Sequence, residues 1–326
     1  MSSHIPAIRI QANRIRQYKI IMQKKITALA PAKINVFLEI TSRRSDGYHN
    51  IQSIFCLIDL ADKLVFEKLH PGRRGEQKQQ ILFTCDRPEL NHSNNIVVKS
   101  ALRILRAANS PASLRIKLEK KIPWGAGLGG GSSDAAATLL AIRDLLKLKI
   151  SDEELKKIGL DLGADVPFFL SKFKCAHVEG IGEKISPLSP SWIVNTGDKK
   201  KITIVIAKPD FSISTKDAYS RVKFPLTGKK EIDKILALIS SSEKFEKIAR
   251  LFYNRFEKII PPPQLKEIKI LKKILIAGGA LNAVMSGSGS AVAGFFMDAA
   301  KAEQTASVLL NKKSGSSVGT YLTHLP

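Results

Sequence analysis

Residues 123–136 have the sequence PWGAGLGGGSSDAA, the most glycine-rich segment of the chain. Five of the seven residues at 125–131 are glycine, so successive backbone N–H groups can approach an anion without interference from side chains. Ser-Ser-Asp at 132–134 supplies N-cap residue types before an Ala- and Leu-rich segment, which predicts a helix to about Lys147. A glycine loop that leads into a helix N-terminus is typical of a phosphate site, because the helix contributes its positive end and free N–H donors.

Other interpretations of the loop have to be weighed. It is not a Walker A loop, because no Gly-Lys-Ser/Thr occurs and Ser132 follows the last glycine. Gly125, Gly127 and Gly130 satisfy GxGxxG, which is typical of dinucleotide-binding oxidoreductases. The segment before them, however, is charged and contains Pro123, unlike the strand of a compact βαβ unit. A glycine-rich turn without a ligand is less favoured, since five glycines carry an entropic cost that a simple turn does not require.

Strand-like and helix-like patterns flank the loop on both sides. The alternation in KINVFLEI at 33–40 predicts a half-buried strand that turns its aliphatic residues to the core and Lys33 and Asn35 outward. Further strands are predicted at 52–69, 113–119 and 201–210, a surface loop at 70–80, and helices at 95–107, after a Ser151/Glu154 capping box, and over most of 231–259. Pro and Ser make 186–191 the best linker candidate, and a glycine turn at 285–290 leads into an apolar strand. Strands and helices without a regular βαβ alternation favour an α+β fold in two lobes.

The composition of the 326-residue chain narrows its class. With 44% hydrophobic and 25% charged residues, it has the make-up of a soluble globular protein, and no apolar run approaches the roughly 18 residues of a membrane span. The net charge of +23 favours polyanionic partners, but intermixed charges and only 6% aromatic residues argue against nucleic acid. Cys56, Cys85 and Cys175 lack the spacing of a disulfide framework or a metal site, which indicates a reducing, cytoplasmic location.

The N-terminal part of the chain is strongly basic. Residues 1–38 contain seven Lys or Arg residues and no acidic residue. This composition superficially resembles a transit peptide, but serine is scarce after Ser3 and an apolar signal core is missing. We therefore interpret 1–24 as a basic N-terminal extension, with Met22 as an alternative start.

Three separated segments resemble, in order, the three motifs of the GHMP kinase superfamily: PAKINVFLEI at 31–40, PWGAGLGGGSSDAA at 123–136 and MSGSGSAVAGFF at 285–296. RRSDGYHNIQSIF at 43–55 and GADVPFF at 163–169 are similar to the 4-diphosphocytidyl-2-C-methyl-D-erythritol kinase family within it. The resemblance covers roughly residues 25–310. It implies a two-lobed α+β GHMP kinase fold, with an N-terminal domain at 25–190, a C-terminal domain at 191–326, and ATP and substrate bound between the lobes.

The family resemblance also implies a reaction and its partners. The reaction is ATP-dependent phosphorylation of the 2-hydroxyl of 4-diphosphocytidyl-2-C-methyl-D-erythritol in the non-mevalonate isoprenoid precursor pathway, with Mg²⁺ accompanying the ATP. Both substrates are small polyanions, which suits the positive charge of the chain. No nucleic acid or membrane partner is expected, and the chain is expected to be a monomer or a weak homodimer. Two alternatives stay open: another kinase of the superfamily that acts on a non-nucleotide alcohol, and a non-catalytic binding protein that kept the fold.

The resemblance assigns Lys33 and Asp165 to catalysis. Asp165 is then the base or orienting group for a tertiary alcohol, which is a poor nucleophile at neutral pH. Lys33 would hold Asp165 ionised and offset charge on the transferred phosphoryl group, and Asn35 on the same face would position Lys33 or bind the acceptor. From the local sequence alone, Asp165 could equally cap a short helix, and Lys33 could be an exposed strand lysine.

Substrate and nucleotide contacts are implied in the same way. Tyr48 and His49 correspond to residues that hold the cytosine ring, and Phe211 to a second aromatic over the base, although an ordinary core phenylalanine fits its neighbours nearly as well. Asn95 and Lys120 are candidates for the adenine side. The other predicted nucleotide-binding residues are Pro123, Gly125, Gly127, Leu128, Gly129, Gly130, Gly131, Ser132 and Ser133. The resemblance assigns no protein ligand to Mg²⁺. Trp124 and Ala126 depart from the glycine or smaller residues common in the family, and Trp124 could narrow the adenine entry.

Overall fold

The computed structural model describes residues 25–69, 80–190, 202–223, 230–311 and 318–325. The basic extension at 1–24 and nearly all of the surface loop predicted at 70–80 lie outside the described residues. Within the described ranges, no helix is both long and apolar enough to cross a membrane.

The described strands form two sheets. In chain order they are β1 (Lys25–Arg43), β2 (His49–Lys68), β3 (Ile81–Cys85), β4 (Leu114–Glu119), β5 (Cys175–Gly180), β6 (Lys184–Leu188), β7 (Thr203–Pro209), β8 (Tyr253–Asn254), β9 (Asn282–Met285), β10 (Val292–Phe296) and β11 (Val318–His324). The first sheet has the order β3-β4-β2-β1-β8, with β5 paired to β2 and β6 to β5. The second sheet has the order β11-β7-β10-β9.

Helices complete the α+β architecture. Those in the described ranges are α1 (Ile96–Ala107), α2 (Gly130–Leu146), α3 (Asp152–Leu162), α4 (Val166–Leu170), α5 (Thr215–Ser220), α6 (Lys230–Ser240), α7 (Phe245–Ala249), α8 (Pro262–Ala277) and α9 (Ala299–Leu310). The helix that follows the glycine loop, α2, packs on α1, β1 and β2. Its buried face carries Ala135, Ala136 and Leu139, and the small alanines let it lie close to the sheet. The predicted α+β fold is confirmed.

A β-bulge interrupts β1 where it passes the site. β1 and β2 are antiparallel, with Asn35 opposite Phe55 and Phe37 opposite Ile54, so Val36 is the extra residue of the bulge. An extra residue in one strand reverses the side-chain alternation beyond it. A strict period of two cannot therefore continue along β1.

The bulge corrects the predicted faces of β1. Lys33, Asn35 and Leu38 line one cavity, whereas Ile34 and Val36 pack together in an apolar cluster elsewhere. The prediction that all the aliphatic residues of 33–40 share one face is therefore wrong. The polar side is also buried rather than outward, with Lys33 3% and Asn35 1% exposed.

Several predicted boundaries can be compared with the structure. The helix at 95–107, begun by Asn95 as N-cap, and the capping box of Ser151 and Glu154 are confirmed. By contrast, α2 begins at Gly130 with Gly129 as N-cap. Residues 132–134 therefore lie inside the helix and not before it, because the glycine backbone itself turns into the helix.

Strand pairing overrides local composition in two further segments. Much of the predicted linker 186–191 belongs to β6, which pairs with β5 at the end of the sheet, where a proline is tolerated. Most of the segment 231–259 is helical as predicted, in α6, α7 and a 3-10 turn at Arg255–Lys258, but the two-residue strand β8 interrupts it.

The short strand β8 connects the two halves of the chain. Tyr253 and Asn254 pair in parallel with Phe37 and Leu38 of β1, so a segment from the C-terminal half extends the first sheet. The buried Asn254 side chain donates from Nδ2 to the carbonyl oxygens of Met285 (2.6 Å) and Gly287 (2.8 Å). The glycine turn at 285–290 is thereby fixed beside β1.

Candidate active site

A cavity of about 1330 Å³ opens where the two sheets meet. Its walls come from β1, the start of β2, the glycine loop, α5 and the turn after β9. Most of the residues predicted from the sequence to touch substrate or nucleotide lie on it. They are Lys33, Asn35, Tyr48, His49, Asn95, Lys120, Pro123, Gly125, Gly127, Leu128, Gly129, Gly130, Gly131, Ser132 and Asp165.

Lys33 and Asp165 meet inside this cavity although they are distant in sequence. Lys33 Nζ lies 3.3 Å from Asp165 Oδ2 and donates to Asn35 Oδ1 over 2.7 Å. The Asn35 amide in turn donates to Ser53 Oγ over 3.0 Å. The ammonium also lies 4.5 Å from the centre of the Phe55 ring. A buried ammonium with this many contacts is held in one position.

Asp165 stands at the start of α4 but does not cap it. Within the described residues its side chain makes no capping hydrogen bond, and 31% of the side chain remains accessible from the cavity. The carboxylate is thus directed to Lys33 and to the cavity. The alternative role as a helix cap has no support in this geometry.

The glycine loop adopts backbone conformations that only glycine accepts readily. Gly125, Gly127 and Gly129 have φ of +63°, +76° and +71°. The first backbone hydrogen bond of α2 runs from Ser133 N to the Gly129 carbonyl over 2.9 Å. The N–H groups at 130–132 make no hydrogen bond to any described residue and face the cavity end of the helix, as an anion site requires.

The turn at 285–290 supports the glycine loop from the other sheet. Ser286 Oγ donates to the Gly127 carbonyl over 3.0 Å, and Ala291 N donates to the Ala126 carbonyl over 3.1 Å. On the opposite side, Lys33 N donates to Leu128 O over 2.9 Å. The loop is therefore anchored to both sheets.

Aromatic residues gather at the other end of the cavity. His49 stacks on Tyr219 of α5, with ring centres 5.2 Å apart and an interplanar angle of 19°. Tyr48 is 61% exposed and borders the cavity. Burial, helped by the nearby Arg43 charge, lowers the pKa of His49. Burial raises the pKa of Tyr219. Both rings are neutral at pH 7, and His49 offers one donor and one acceptor.

Two residues predicted for the site do not line the cavity. Phe211 is half-buried in the core beside the second sheet, and its carbonyl accepts hydrogen bonds from Lys208 Nζ (2.8 Å) and Ser290 Oγ (2.5 Å). Ser133 is buried in the first turn of α2, and its Oγ has no hydrogen-bond partner among the described residues. Trp124 lies at the rim with 71% exposure.

The sequence interpretation missed Tyr219, Thr215 and Ser288. Thr215 and Tyr219 are four residues apart and so share one face of α5. Thr215 Oγ1 and Ser288 Oγ are hydrogen-bonded at 2.9 Å, and both border the cavity. A Thr-x-x-x-Tyr spacing beside the predicted Phe211 was the available signal, but a helix of six residues gives too little periodicity to recognise.

The donor set of the chain can be compared with the needs of Mg²⁺. Mg²⁺ prefers oxygen ligands and commonly keeps water and phosphate oxygens. Among the described residues, no group of three or more His, Cys, Asp or Glu side chains gathers at one point. Within the part of the chain that the structure describes, the donor set therefore forms no metal cage of three or more such ligands.

Comparisons with known proteins agree with this geometry. The model of the GHMP kinase N-terminal domain matches residues 95–172, and that of the GHMP kinase C-terminal domain matches 232–314. The 4-diphosphocytidyl-2-C-methyl-D-erythritol kinase of Clostridium botulinum (strain Hall) is 38% identical over 283 residues, which cover 84% of this chain and 92% of that protein. The chain belongs to the 4-diphosphocytidyl-2-C-methyl-D-erythritol kinase family. The family member of Geobacter sp. (strain M21) is 35% identical over 296 residues, covering 90% and 96% of the two chains.

Solved structures add the fold of this kinase family. A crystal structure of 4-(cytidine 5'-diphospho)-2C-methyl-D-erythritol kinase superposes with a TM-score of 0.72 at 31% identity, covering 92% of this chain and 99% of that one. Homoserine kinase from Cytophaga hutchinsonii shares the fold at 17% identity, with a TM-score of 0.68 and coverage of 99% and 98%. The predicted GHMP kinase fold and family are confirmed, and the dinucleotide-binding oxidoreductase is excluded.

Proposed function

We infer that this chain transfers the γ-phosphoryl group of ATP to the 2-hydroxyl of 4-diphosphocytidyl-2-C-methyl-D-erythritol. The observation that carries the inference is the position of the Lys33–Asp165 pair, 3.3 Å apart, in one cavity bordered by the glycine loop and by the His49–Tyr219 stack. A phosphate donor and a nucleotide-linked alcohol can thus reach the same pair of charged groups from two ends.

In the proposed mechanism Asp165 accepts the proton of the acceptor hydroxyl. The O–H bond breaks as the hydroxyl oxygen forms a bond to the γ-phosphorus, and the bond from that phosphorus to the β-phosphate oxygen breaks to release ADP. The Lys33 ammonium, fixed by Asn35 and the Phe55 ring, offsets negative charge on the moving group. Mg²⁺, when bound with ATP, would neutralise phosphate charge.

The glycine loop is proposed to hold the phosphates of ATP. Its free N–H groups at 130–132 and the positive end of α2 stabilise negative charge. Asn95, Lys120 and the rim residues Pro123 and Trp124 border the same end of the cavity, where they would receive the adenosine. Phosphoryl transfer depends mainly on such alignment, because the transferred group itself needs little covalent help.

The aromatic end is proposed to hold the cytosine ring. Neutral His49 presents a donor and an acceptor. Cytosine does so too, through its amino group and the neighbouring ring nitrogen N3. Tyr48 and Tyr219 provide ring faces for stacking. In this proposal Tyr219 has the role that the family resemblance implies for Phe211, because Tyr219 borders the cavity and Phe211 does not.

An ADP-release assay with a panel of acceptors tests the function. We expect phosphorylation of the diphosphocytidyl substrate and little activity on mevalonate, homoserine or galactose. The Asp165→Asn protein, purified in parallel, controls for contaminating kinases. Faster turnover of a non-nucleotide alcohol would contradict the assignment, since such a substrate gives Tyr48, His49 and Tyr219 nothing to bind.

A further inference from the structure

Three charged side chains meet in the interior behind the glycine loop. Lys120 Nζ donates to Asp62 Oδ2 and, over 2.9 Å, to Asp134 Oδ2. None of the three side chains is more than 7% exposed. Two carboxylates thus share one ammonium, and the cluster carries one net negative charge when both carboxylates are ionised.

The two carboxylates are not equivalent. Asp62 Oδ1 also accepts from the backbone nitrogens of Lys121 (2.6 Å) and Ile122 (2.8 Å), so both carboxylate oxygens of Asp62 have hydrogen-bond donors. Asp134 Oδ1 is buried without a hydrogen-bond partner among the described residues. Burial raises the pKa of Asp134 to about 7, with Lys120 opposing the rise and Asp62 adding to it. Asp134 is therefore the member that binds a proton.

The surroundings of Asp134 contain few other charges. Behind Lys120, Asp86 Oδ1 accepts from the Lys120 backbone nitrogen over 2.9 Å. The α1 face packed on α2 is apolar. From β1 and α4, Lys33 and Asp165 pair with each other, and neither is among the charges that shift the pKa of Asp134. Within the described residues, the charge balance at Asp134 is thus set by Asp62 and Lys120.

The cluster lies beside the proposed phosphate site. Lys120 and Asp134 border the cavity, and Lys120 Nζ is 3.3 Å from the point that a Cβ on Gly130 would occupy. A nucleoside triphosphate on the loop therefore brings negative charge close to the poorly solvated cluster of Asp62, Lys120 and Asp134, which is itself negative when both carboxylates are ionised. Repulsion of this kind is strong away from water, and one proton on the cluster removes its net charge.

We propose that Asp134 is a positioning residue that takes up a proton from solvent when ATP binds, so that a neutral cluster holds Lys120 against the phosphate loop. The proposal rests on the proposed function only in requiring a nucleoside triphosphate on the glycine loop. It does not depend on the identity of the acceptor alcohol.

Calorimetry of a non-hydrolysable ATP analogue tests proton uptake directly. Titrations with Mg²⁺ in excess, in buffers of different ionisation enthalpy and just above the pKa of Asp134 of about 7, give the number of protons bound. We expect wild type to take up a sizeable fraction of one proton. Asp134→Asn, which keeps an acceptor for Lys120 but cannot titrate, should lose this uptake. Asp86→Asn, which changes the carboxylate outside the buried cluster, should keep it.

The pH dependence of the ATP KM provides a second readout. Because binding requires a proton on Asp134, wild-type affinity should fall as pH rises above about 7, by at most about tenfold per pH unit for one proton. Asp134→Asn should show a flat profile over the same range. If Asp134 had a purely structural role, Asp134→Asn would shift the ATP KM by the same factor at every pH, and this result would overturn the proposal. Equal proton uptake by wild type and Asp134→Asn would also overturn it.

The outcome stays decidable if a variant or the proposed function fails. Should Asp134→Asn not fold, calorimetry on wild type alone decides, since binding without proton uptake overturns the proposal. Should the acceptor assignment be wrong, the panel assay reports it, whereas the calorimetric titration contains no acceptor and is unaffected.

Discussion

Lys33 is a buried ammonium whose contacts leave it little freedom. Its Nζ is held by Asn35, Asp165 and the Phe55 ring, and its backbone N–H holds the loop at Leu128. The same residue therefore fixes the proposed catalytic charge relative to the glycine loop. A longer, planar guanidinium would not fit these partners, so arginine is not a conservative replacement here.

Replacement of Asp165 tests the proposed proton acceptor. Asp165→Asn should reduce kcat by roughly 10² or more, because the amide cannot accept the hydroxyl proton. ATP affinity, measured by calorimetry, should change little. Asp161→Asn is the matched control and should keep wild-type turnover. Asp161 lies on α3, where it forms an exposed ion pair with Arg103. Near-normal turnover of Asp165→Asn would remove Asp165 from the mechanism.

Substitutions at Tyr219 test the cytosine site. Tyr219→Leu removes the ring face and should raise the KM for the diphosphocytidyl substrate, by about 5-fold to 150-fold for a loss of roughly 1 to 3 kcal/mol. Tyr219→Phe keeps the ring and should stay close to wild type. Phe211→Leu should alter stability more than KM, since Phe211 lies in the core. A larger KM effect at Phe211 than at Tyr219 would reverse the assignment.

Among single residues, the sequence predicts the site residues that lie in recognisable motifs better than those brought to the site only by tertiary contacts. Lys33, Asp165 and the glycines lie in motif segments, and the structure brings them together. Asp62 and Tyr219 lie outside any motif, and only tertiary contact reveals their neighbours. The burial of Lys33 was also unpredictable, because local alternation does not show which strand face another element covers.

At the scale of elements, the glycine loop is held between two strands and a turn. Gly129 has φ of +71°, and a Cβ there would lie 2.9 Å from the Phe169 ring and 3.0 Å from Lys33 Cγ. Side chains at this position therefore disturb both the backbone and Lys33. The loop tolerates very little variation in shape.

A valine at Gly129 should consequently weaken nucleotide binding. Gly129→Val places a branched side chain in the left-handed region and against Lys33, so ATP affinity and kcat should both fall. Circular dichroism checks that the variant is folded, and calorimetry measures its affinity. Unchanged ATP affinity in a folded Gly129→Val protein would show that the phosphate-loop assignment is wrong.

The turn after β9 should contribute a smaller, separate effect. Ser286→Ala removes the hydrogen bond to the Gly127 carbonyl, worth about 1 kcal/mol, so the ATP KM should rise by roughly fivefold. It also removes the acceptor of the Asn35 backbone N–H (3.2 Å), so the KM for the cytidine substrate should rise as well, but by less. An equal rise in both KM values would indicate a general loosening of the cavity.

Element types were predictable where hydrophobic periodicity or capping chemistry was strong, as at 95–107 and at Ser151. The prediction of element types failed where the local structure depends on pairing with a strand that is distant in sequence. The bulge at Val36 and the two-residue strand β8 have no local signature, because each exists only through its neighbour.

At the scale of the whole molecule, the net charge of +23 should assist capture of two anionic substrates. Raising ionic strength from low to physiological values shortens the range of these charges to about 8 Å. The KM for both substrates should therefore rise with salt, while kcat changes less. Measurements in KCl at constant Mg²⁺ check this, and salt-independent KM values would show that the surface charge plays no part in capture.

The pairing of β8 with β1 also affects how the protein is made. The first sheet begins at residue 25 but gains its last strand only at Tyr253 and Asn254. During synthesis, β1 therefore leaves the ribosome long before β8 is made. Until then, the backbone N–H and C=O groups of Phe37 and Leu38 that pair with β8 lack their partner strand. An exposed edge of this kind invites pairing with another nascent chain. A fragment that ends before β8 would keep that edge permanently, so the kinase should be produced as one continuous chain.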